Sequence, residues 1–247
     1  MTRVLVLAGT TEATRLAGLL TDDGLEVISS FAGMTTDPRS RPGLVRSGGF
    51  GGVDGLRRYL DEEAIDLLID ATHPFAACMP HHAAAAASGA GVPLVRLLRP
   101  PWTPGPGDRW VCVPGLPEAA AAIDELDARV AFLTVGRREL HHFDRARHTR
   151  FVVRSIHPPE RPPPRTTLVL DRGPYELAAE RDLLVRHRVD VIVAKNAGGT
   201  ATRAKLDAAR ELGLPVVMVE RPSQPAVRRV ATAEDARRWV QVTLGRG

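Results

Sequence analysis

Two consecutive α/β arrays, each a parallel sheet flanked by helices, are what this sequence predicts. Three observations carry that prediction. Short apolar runs rich in β-branched residues recur at 4–8, 65–69, 130–135 and 191–194, and such runs mark strands buried on both faces. Helical periodicity follows them rather than a second alternating run, and right-handed crossovers turn that order into parallel sheets. The alternation halts at residues 100–107, where four prolines and two glycines fall in eight positions, and restarts beyond. The expected domains are therefore 1–107 and 108–247. Open parallel sheets bind ligands outside the carboxyl ends of their strands, so a ligand is expected in the cleft between the two carboxyl edges.

Residues 3–9 form the first strand, ending at Gly9. Thr10, Thr11 and Glu12 open a helix through Leu20, with Leu16, Leu19 and Leu20 on its apolar side. This is the first βα turn of a nucleotide-binding fold, where helix amides hold a phosphate. The dinucleotide fingerprint is poorly met: counted from Gly9, its second and third glycine positions are Thr11 and Thr14. Glu12 suits a cap better than a phosphate contact. Residues 25–30 form the second strand. A ribose-gripping carboxylate would fall about twenty positions past the first glycine, and Ser29 and Ser30 stand there instead. Serines with Arg39, Arg41 and Arg46 downstream suit a 2′-phosphate, so NADPH is expected over NADH. A third short strand, 44–47, runs into Gly48-Gly49-Phe50-Gly51-Gly52, a turn that permits close backbone approach. Residues 54–63 are helical, with Leu56 and Leu60 inward. The strand at 65–69 delivers Thr72 and His73 to its carboxyl end. An alanine-rich helix runs to Ser88, and a fifth strand spans 92–98.

Beyond residue 107, strands are expected at 110–113, 130–135, 151–156, 168–170 and 215–219. Helices are expected at 118–126 and 175–187. Thr232 with Asp235 gives a last helix a capping-box start, with Ala236, Trp239 and Val240 on its apolar side. Residues 137–165 hold eight arginines and four histidines against three acids. The stretch 190–203 reads as a buried strand, a polar glycine turn and a helix. Lys195 and Asn196 project at the strand end, and Thr200 or Thr202 is the expected N-cap. Leu206, Ala209 and Leu212 mark the apolar side of that helix. Lysine and arginine together number 33, yet only Lys195 and Lys205 are lysines. A lysine kept at a strand end offers a proton that can leave, which arginine does not.

Apolar content of 44% and charged content of 25% over 247 residues are those of an ordinary globular protein. A net charge of +4 suits an anionic ligand. No basic run interleaved with aromatics points to nucleic acid. Cys78 and Cys112 lack metal spacing and read as two unpaired thiols, and no metal is expected. No apolar run reaches membrane-spanning length, and residues 4–8 are too short for a signal-peptide core, so a cytoplasmic protein is expected.

One side of the expected cleft suits a dinucleotide: Gly9, Thr10, Thr11, Ser29, Ser30, Arg46, Gly49, Thr72 and His73. The other suits a polycarboxylate: Arg137, Arg138, Arg154, Arg172, Asn196, Gly198, Gly199 and Thr200. Arginine forks hold carboxylates bidentately. Hydride from one side and a proton from Lys195 on the other would saturate a polarised double bond.

Five stretches, in order, then narrow the reading: Leu7-Ala-Gly-Thr-Thr-Glu-Ala-Thr-Arg-Leu-Ala, Gly48-Gly-Phe-Gly-Gly, Asp70-Ala-Thr-His-Pro-Phe-Ala, Thr134-Val-Gly-Arg-Arg-Glu-Leu and Asp190-Val-Ile-Val-Ala-Lys-Asn-Ala-Gly-Gly. Together they resemble the precorrin-6A reductase family of cobalamin biosynthesis, over essentially the whole chain. The resemblance implies NADPH-dependent reduction of one carbon–carbon double bond in the corrin precursor, giving precorrin-6B. It also implies two Rossmann-like domains with the site between them, an exchanged strand, and Lys195 as proton donor. The partners it implies are the tetrapyrrole polycarboxylate and, in transient contact, neighbouring pathway enzymes. A related enzyme of the anaerobic branch acts on the cobalt-containing substrate, and the residues do not separate the two. A short-chain dehydrogenase is excluded, since Tyr59 and Tyr175 are followed four positions on by Glu63 and Ala179, not lysine. A non-catalytic NADPH-binding sensor and a two-domain nucleotide-sugar glycosyltransferase are the alternatives.

Overall fold

The computed structural model describes residues 1–31, 42–146 and 148–245. Arg39 and Arg41 lie outside the described residues. The first half runs β1 (Arg3–Leu7), α1 (Thr11–Asp22), β2 (Glu26–Phe31), β3 (Leu44–Ser47), α2 (Gly52–Glu62), β4 (Leu67–Asp70), α3 (Met79–Ala90) and β5 (Leu94–Leu97). Next come β6 (Arg109–Val113), α4 (Leu116–Glu125), β7 (Val130–Leu133), a 3₁₀ segment (Arg137–Phe143), β8 (Arg150–Ser155), β9 (Thr166–Leu170) and α5 (Leu177–His187). The chain closes with β10 (Val191–Lys195), α6 (Ala204–Leu212), β11 (Pro215–Val219), β12 (Arg229–Val230) and α7 (Ala233–Thr243).

These elements build two six-stranded sheets, with every strand pair parallel. The first has the order β12-β5-β4-β1-β2-β3 and the second β6-β11-β10-β7-β8-β9. Both are doubly wound α/β sheets of Rossmann type. The strand order reverses between β1 and β4 in the first, and between β7 and β10 in the second. Successive side chains of a strand face opposite sides, and β1 shows it. Val4 and Val6 pack with Leu16, Leu20, Val95 and Trp239 beneath α1 and α7. Leu5 and Leu7 pack with Leu56, Leu60, Leu68 and Ala83 beneath α2 and α3. In the second sheet Phe132, Ile192, Ala194, Val216 and Met218 bury against Leu184 of α5 and Leu206 and Ala209 of α6. Each Val, Leu, Ile, Phe or Met among them contributes about 1.5–3 kcal/mol when fully buried.

The compact units are Met1–Pro100 with Pro222–Gly247, and Pro101–Arg221. The expected division at 107 and 108 is therefore displaced, for two reasons. First, Trp102 belongs to the second core. Its backbone N–H donates to Asn196 Oδ1 (2.7 Å), its carbonyl accepts from Asn196 Nδ2 (3.0 Å), and its indole N–H donates to Gly199 O (2.8 Å). Second, the edge strands are exchanged. β6 follows β5 in the chain but borders the second sheet, and β12 follows β11 but borders the first. Two residues are too few for periodicity to reveal, so β12 goes unpredicted. The returning helix α7 pairs Arg237 with Asp23, and Glu234 with Arg15, of the first unit.

Two local expectations also change. α6 begins at Ala204 after Arg203, with no side-chain cap, so neither Thr200 nor Thr202 is its N-cap. Its buried face carries Lys205, Leu206, Ala208 and Ala209, while Leu212 is partly exposed. Thr232 does cap α7: its Oγ accepts from the Asp235 N–H at 3.1 Å. Both cysteines are free and exposed. Among the described residues, no helix is long and apolar enough to cross a membrane.

Candidate active site

In the second sheet the strand-order reversal places Lys195, the last residue of β10, beside the segment that leaves β7. Thr134 laces the two, with its Oγ donating to Val193 O at 3.0 Å. After Gly136 the chain turns into the 3₁₀ segment, which presents Glu139. Lys195 Nζ donates to Glu139 Oε1 at 2.5 Å, and Gly136 N–H donates to Glu139 Oε2 at 2.9 Å. The lysine side chain is 16% exposed. The reversal point of the sheet, where such folds bind ligands, thus carries a half-buried lysine held by a carboxylate that is itself held by backbone. Sequence reasoning omits Glu139. Its bond to Lys195 spans 56 positions and depends on β7 lying next to β10.

The turn behind Lys195 is fixed by backbone bonds. Gly198 and Gly199 adopt φ of +70° and +80°, which L side chains rarely adopt. Arg221 donates to the carbonyls of Asn196 (2.8 Å) and Ala197 (3.1 Å). Asn196 is not positioned as a ligand for substrate, because its amide clamps the Trp102 backbone through both oxygen and nitrogen. Gly198 is buried and Thr200 is exposed.

Arg154 also departs from the expected role. Its guanidinium is buried, bonded to Glu180 of α5, and stacked 3.6 Å from the Tyr175 ring centroid. That pair is part of the interior. Lys205 lies in the same region, with Nζ donating to Thr202 O at 2.5 Å and 5.1 Å from the Trp102 ring. Burial, then Arg154, pushes its pKa down to about 7, with Glu180 opposing. Arg137 and Arg138, after β7, and Arg172, after β9, are exposed at the carboxyl edge.

In the first sheet the reversal lies between β1 and β4. Gly9 leaves β1 at φ +156°, and Thr10 caps α1 by accepting from Ala13 N–H (3.1 Å) while donating to Ala71 O (3.2 Å). Thr11 is exposed and bonds Glu12 at 3.2 Å. Glu12 is not the cap, which is Thr10; it stands in the first turn of α1 with its carboxylate on Arg99 and Thr11. Burial pushes its carboxyl up, but its own backbone amide, Arg99 (2.8 Å) and Thr11 outweigh this and hold it below its ordinary value. Thr72 is fixed by Asp70, whose Oδ1 accepts from its amide (3.1 Å) and hydroxyl (2.7 Å). Asp70 in turn lies 3.4 Å from the fully buried Arg96 guanidinium, its register partner on β5. Burial lowers the Arg96 pKa, against the pull of Asp70. His73 is exposed, and its Nδ1 accepts from Phe75 N–H at 3.2 Å.

At the ends of β2 and β3 the structure brings Ser30, Arg46 and Gly49 together. Arg46 donates to Ser30 Oγ (3.2 Å), Gly48 O (2.6 Å) and Gly49 O (2.8 Å), and lies 3.8 Å from the Phe50 ring centroid. Three of its five N–H donors are thereby used by described partners. Ser29 is buried and alternates with Ser30, so it faces the α1 side with Val27. The glycine turn answers to backbone conformation rather than crowding. Gly48, Gly51 and Gly52 have φ of +110°, +81° and +89°, and a Cβ at any of them would meet nothing within 4 Å.

Two doubly wound sheets, one ending in an arginine–serine cluster and the other in a carboxylate-held lysine, make this an α/β protein of Rossmann type. The family model described as "Precorrin-6x reductase CbiJ/CobK" matches residues 3–241. A precorrin-6A reductase of Rhodococcus erythropolis is 47% identical over 97% of this chain and 98% of its own length. A solved structure titled "CobK precorrin-6A reductase" is 45% identical, with a TM-score of 0.91 over 98% of this chain and 97% of that one. A cobalt-precorrin-6A reductase of Methanothermobacter thermautotrophicus is more distant, 30% identical over 89% of this chain and 76% of its own length. The chain belongs to the CbiJ/CobK precorrin-6x reductase family. Membership sets aside the glycosyltransferase alternative.

Proposed function

We propose that this chain reduces one carbon–carbon double bond of metal-free precorrin-6A to give precorrin-6B, with NADPH as reductant and Lys195 as proton donor. The carrying observation is the Lys195–Glu139 pair at the reversal point of the second sheet. The higher identity to a precorrin-6A reductase than to a cobalt-precorrin-6A reductase supports the metal-free substrate.

The donor set of the first sheet fits NADPH. Arg46 and Ser30 offer a guanidinium and a hydroxyl, with no carboxylate among their described partners, which suits a 2′-phosphate and disfavours a free ribose hydroxyl pair. Gly9, Thr10, Thr11, Thr72 and His73 would line the remainder of the cofactor, and Gly49 the phosphate cradle. Bound there, NADPH supplies the hydride. This chain's own residues then have two tasks. Arg137, Arg138 and Arg172 hold substrate carboxylates and so fix the macrocycle. Lys195 gives a proton from Nζ to the carbon next to the one that accepts hydride, and is reprotonated from solvent. Glu139 and the glycine turn keep Nζ at one place, and such positioning is where a large share of rate enhancement arises. Gly198, Gly199 and Thr200 shape the turn around it.

The test is anaerobic NADPH oxidation with precorrin-6A, followed near 340 nm (roughly where reduced nicotinamide absorbs) and by product mass. Substrate-dependent oxidation with a gain of two hydrogens is expected, faster with NADPH than with NADH. NADPH binding without oxidation would return the sensor reading, and oxidation only with the cobalt-containing substrate would reverse the metal assignment.

A further inference from the structure

The chain segments after β7 and β8 leave a hollow of about 250 Å³ lined by Arg137, Arg138, His141, Glu160 and Arg161. Two of these arginines come from the 3₁₀ segment. The third comes from a loop the function has not so far used, residues 157–165. An exposed arginine without a partner is ordinary. Three guanidinium groups lining one hollow are not, because like charges in one place repel. Elsewhere in this unit Arg154, Arg203 and Arg210 are each paired with a carboxylate. Among the described residues no side chain bonds or pairs with the guanidinium group of Arg137, Arg138 or Arg161, and Glu160 is the only acid lining the hollow.

The loop that carries Arg161 is stiff. It holds five prolines, at 158, 159, 162, 163 and 164, each with φ fixed by its ring. Pro159 and Pro163 are buried. Both ends are tied: Ser155 Oγ donates to His157 O (2.6 Å), and Thr166 Oγ donates to Pro163 O (2.7 Å). His141 is tied as well, its Nδ1 donating to the Arg138 carbonyl at 3.0 Å. A preformed cationic hollow loses little entropy on taking an anion. It is also next in sequence to the residue that holds Lys195, since Arg137 and Arg138 directly precede Glu139.

We infer that this hollow is a carboxylate pocket that takes a peripheral acid side chain of the tetrapyrrole, with Arg161 as its outer wall and Arg137 and Arg138 as its inner one. The inference rests on the tetrapyrrole reading above. The volume decides against the whole ring: drug-sized ligands fill about 300–1,000 Å³, so a hollow this small takes an arm. The ring is left outside, on the Lys195 side of the 3₁₀ segment. The arm fixes which bond of a flexible macrocycle faces the lysine, so Arg161 is a specificity-determining residue.

Arg161→Ala tests this. Arg161 is exposed on a loop, and its truncation does not touch the core. Precorrin-6A is titrated into wild-type protein and variant at equilibrium, and KM is measured for both substrates. The Kd and KM for precorrin-6A should rise about tenfold, the scale of one lost charge-assisted contact. Arg161→Lys should recover part of that. The methyl ester of the same tetrapyrrole should bind wild type and Arg161→Ala alike. Arg186→Ala, an exposed arginine on α5 away from the hollow, should match wild type. Unchanged precorrin-6A binding in Arg161→Ala overturns the pocket. So does a raised KM for NADPH with unchanged tetrapyrrole binding, which would make it a cofactor phosphate site. Failure of the wild-type protein to bind or reduce precorrin-6A would instead overturn the underlying reading.

Discussion

The two sheets share a winding but differ in what they bury and in what they present. Each holds a buried arginine–carboxylate pair. In the first, Arg96 and Asp70 are register partners on adjacent strands, and Asp70 fixes the Thr72 loop. In the second, Arg154 of β8 reaches Glu180 of α5, and Lys205 of α6 lies close enough for its charge to be felt. The first pair shapes the loop that leaves β4, whereas the second ties α5 to the sheet. At their reversal points the contrast is sharper. The first ends in hydroxyls and a capped helix, the second in a lysine on a carboxylate. Equal folds therefore do not carry equal chemistry, and function has to be read from the side chains at the sheet edge.

The largest effect expected from breaking this comparison is on stability. Glu180→Leu leaves the Arg154 cation buried without its partner, and such losses cost about 3–5 kcal/mol. Urea unfolding should show that loss, and the double variant Arg154→Met/Glu180→Leu should recover most of it. If the single variant is as stable as wild type, the pair is not a structural tie.

Lys205 should set a pH dependence confined to the second unit. Its folded pKa, about 7, is below the ordinary 10.5. Between those values the unfolded chain holds a proton that the folded chain lacks, so this lysine makes stability rise with pH from about 7 towards 10.5, and its penalty is full below 7. Lys205→Met should remove that slope and raise stability at neutral pH. Parallel slopes for wild type and variant would contradict it.

In the first sheet Arg46→Ala should raise the KM for NADPH by about tenfold, one charge-assisted contact's worth, with little change for NADH. An equal change for both would place the 2′-phosphate elsewhere. The smallest effect is the cap: Thr232→Ala should lower stability by about 1 kcal/mol with turnover unchanged, as read by thermal melting and an activity assay.

Much of this was legible in advance, for physical reasons. β3 and β11 fall on their expected residues because Gly43 and Gly48 bound the first and Pro215 opens the apolar run of the second. Lys195 could be singled out because it ends such a run in a chain with one other lysine. Its partner could not, because strand adjacency is not written in strand sequence. Arg154 looked like a ligand because β8 ends near it, and only the placement of α5 shows that Glu180 occupies it. The burial of Lys205 is not legible because the helical periodicity of Leu206, Ala209 and Leu212 marks a face offset from the one that packs, which includes the lysine. Asn196 sits at the correct edge, yet Trp102, 94 positions earlier, claims its amide.

The central claim is that Lys195 delivers the proton. The most direct measurement is single-turnover reduction of precorrin-6A by Lys195→Ala loaded with NADPH, with cofactor affinity measured alongside. The account predicts unchanged NADPH affinity and a reduction rate lower by about 10²–10⁴, the usual share of a general acid. Reduction at the wild-type rate would contradict it and assign the proton to another donor.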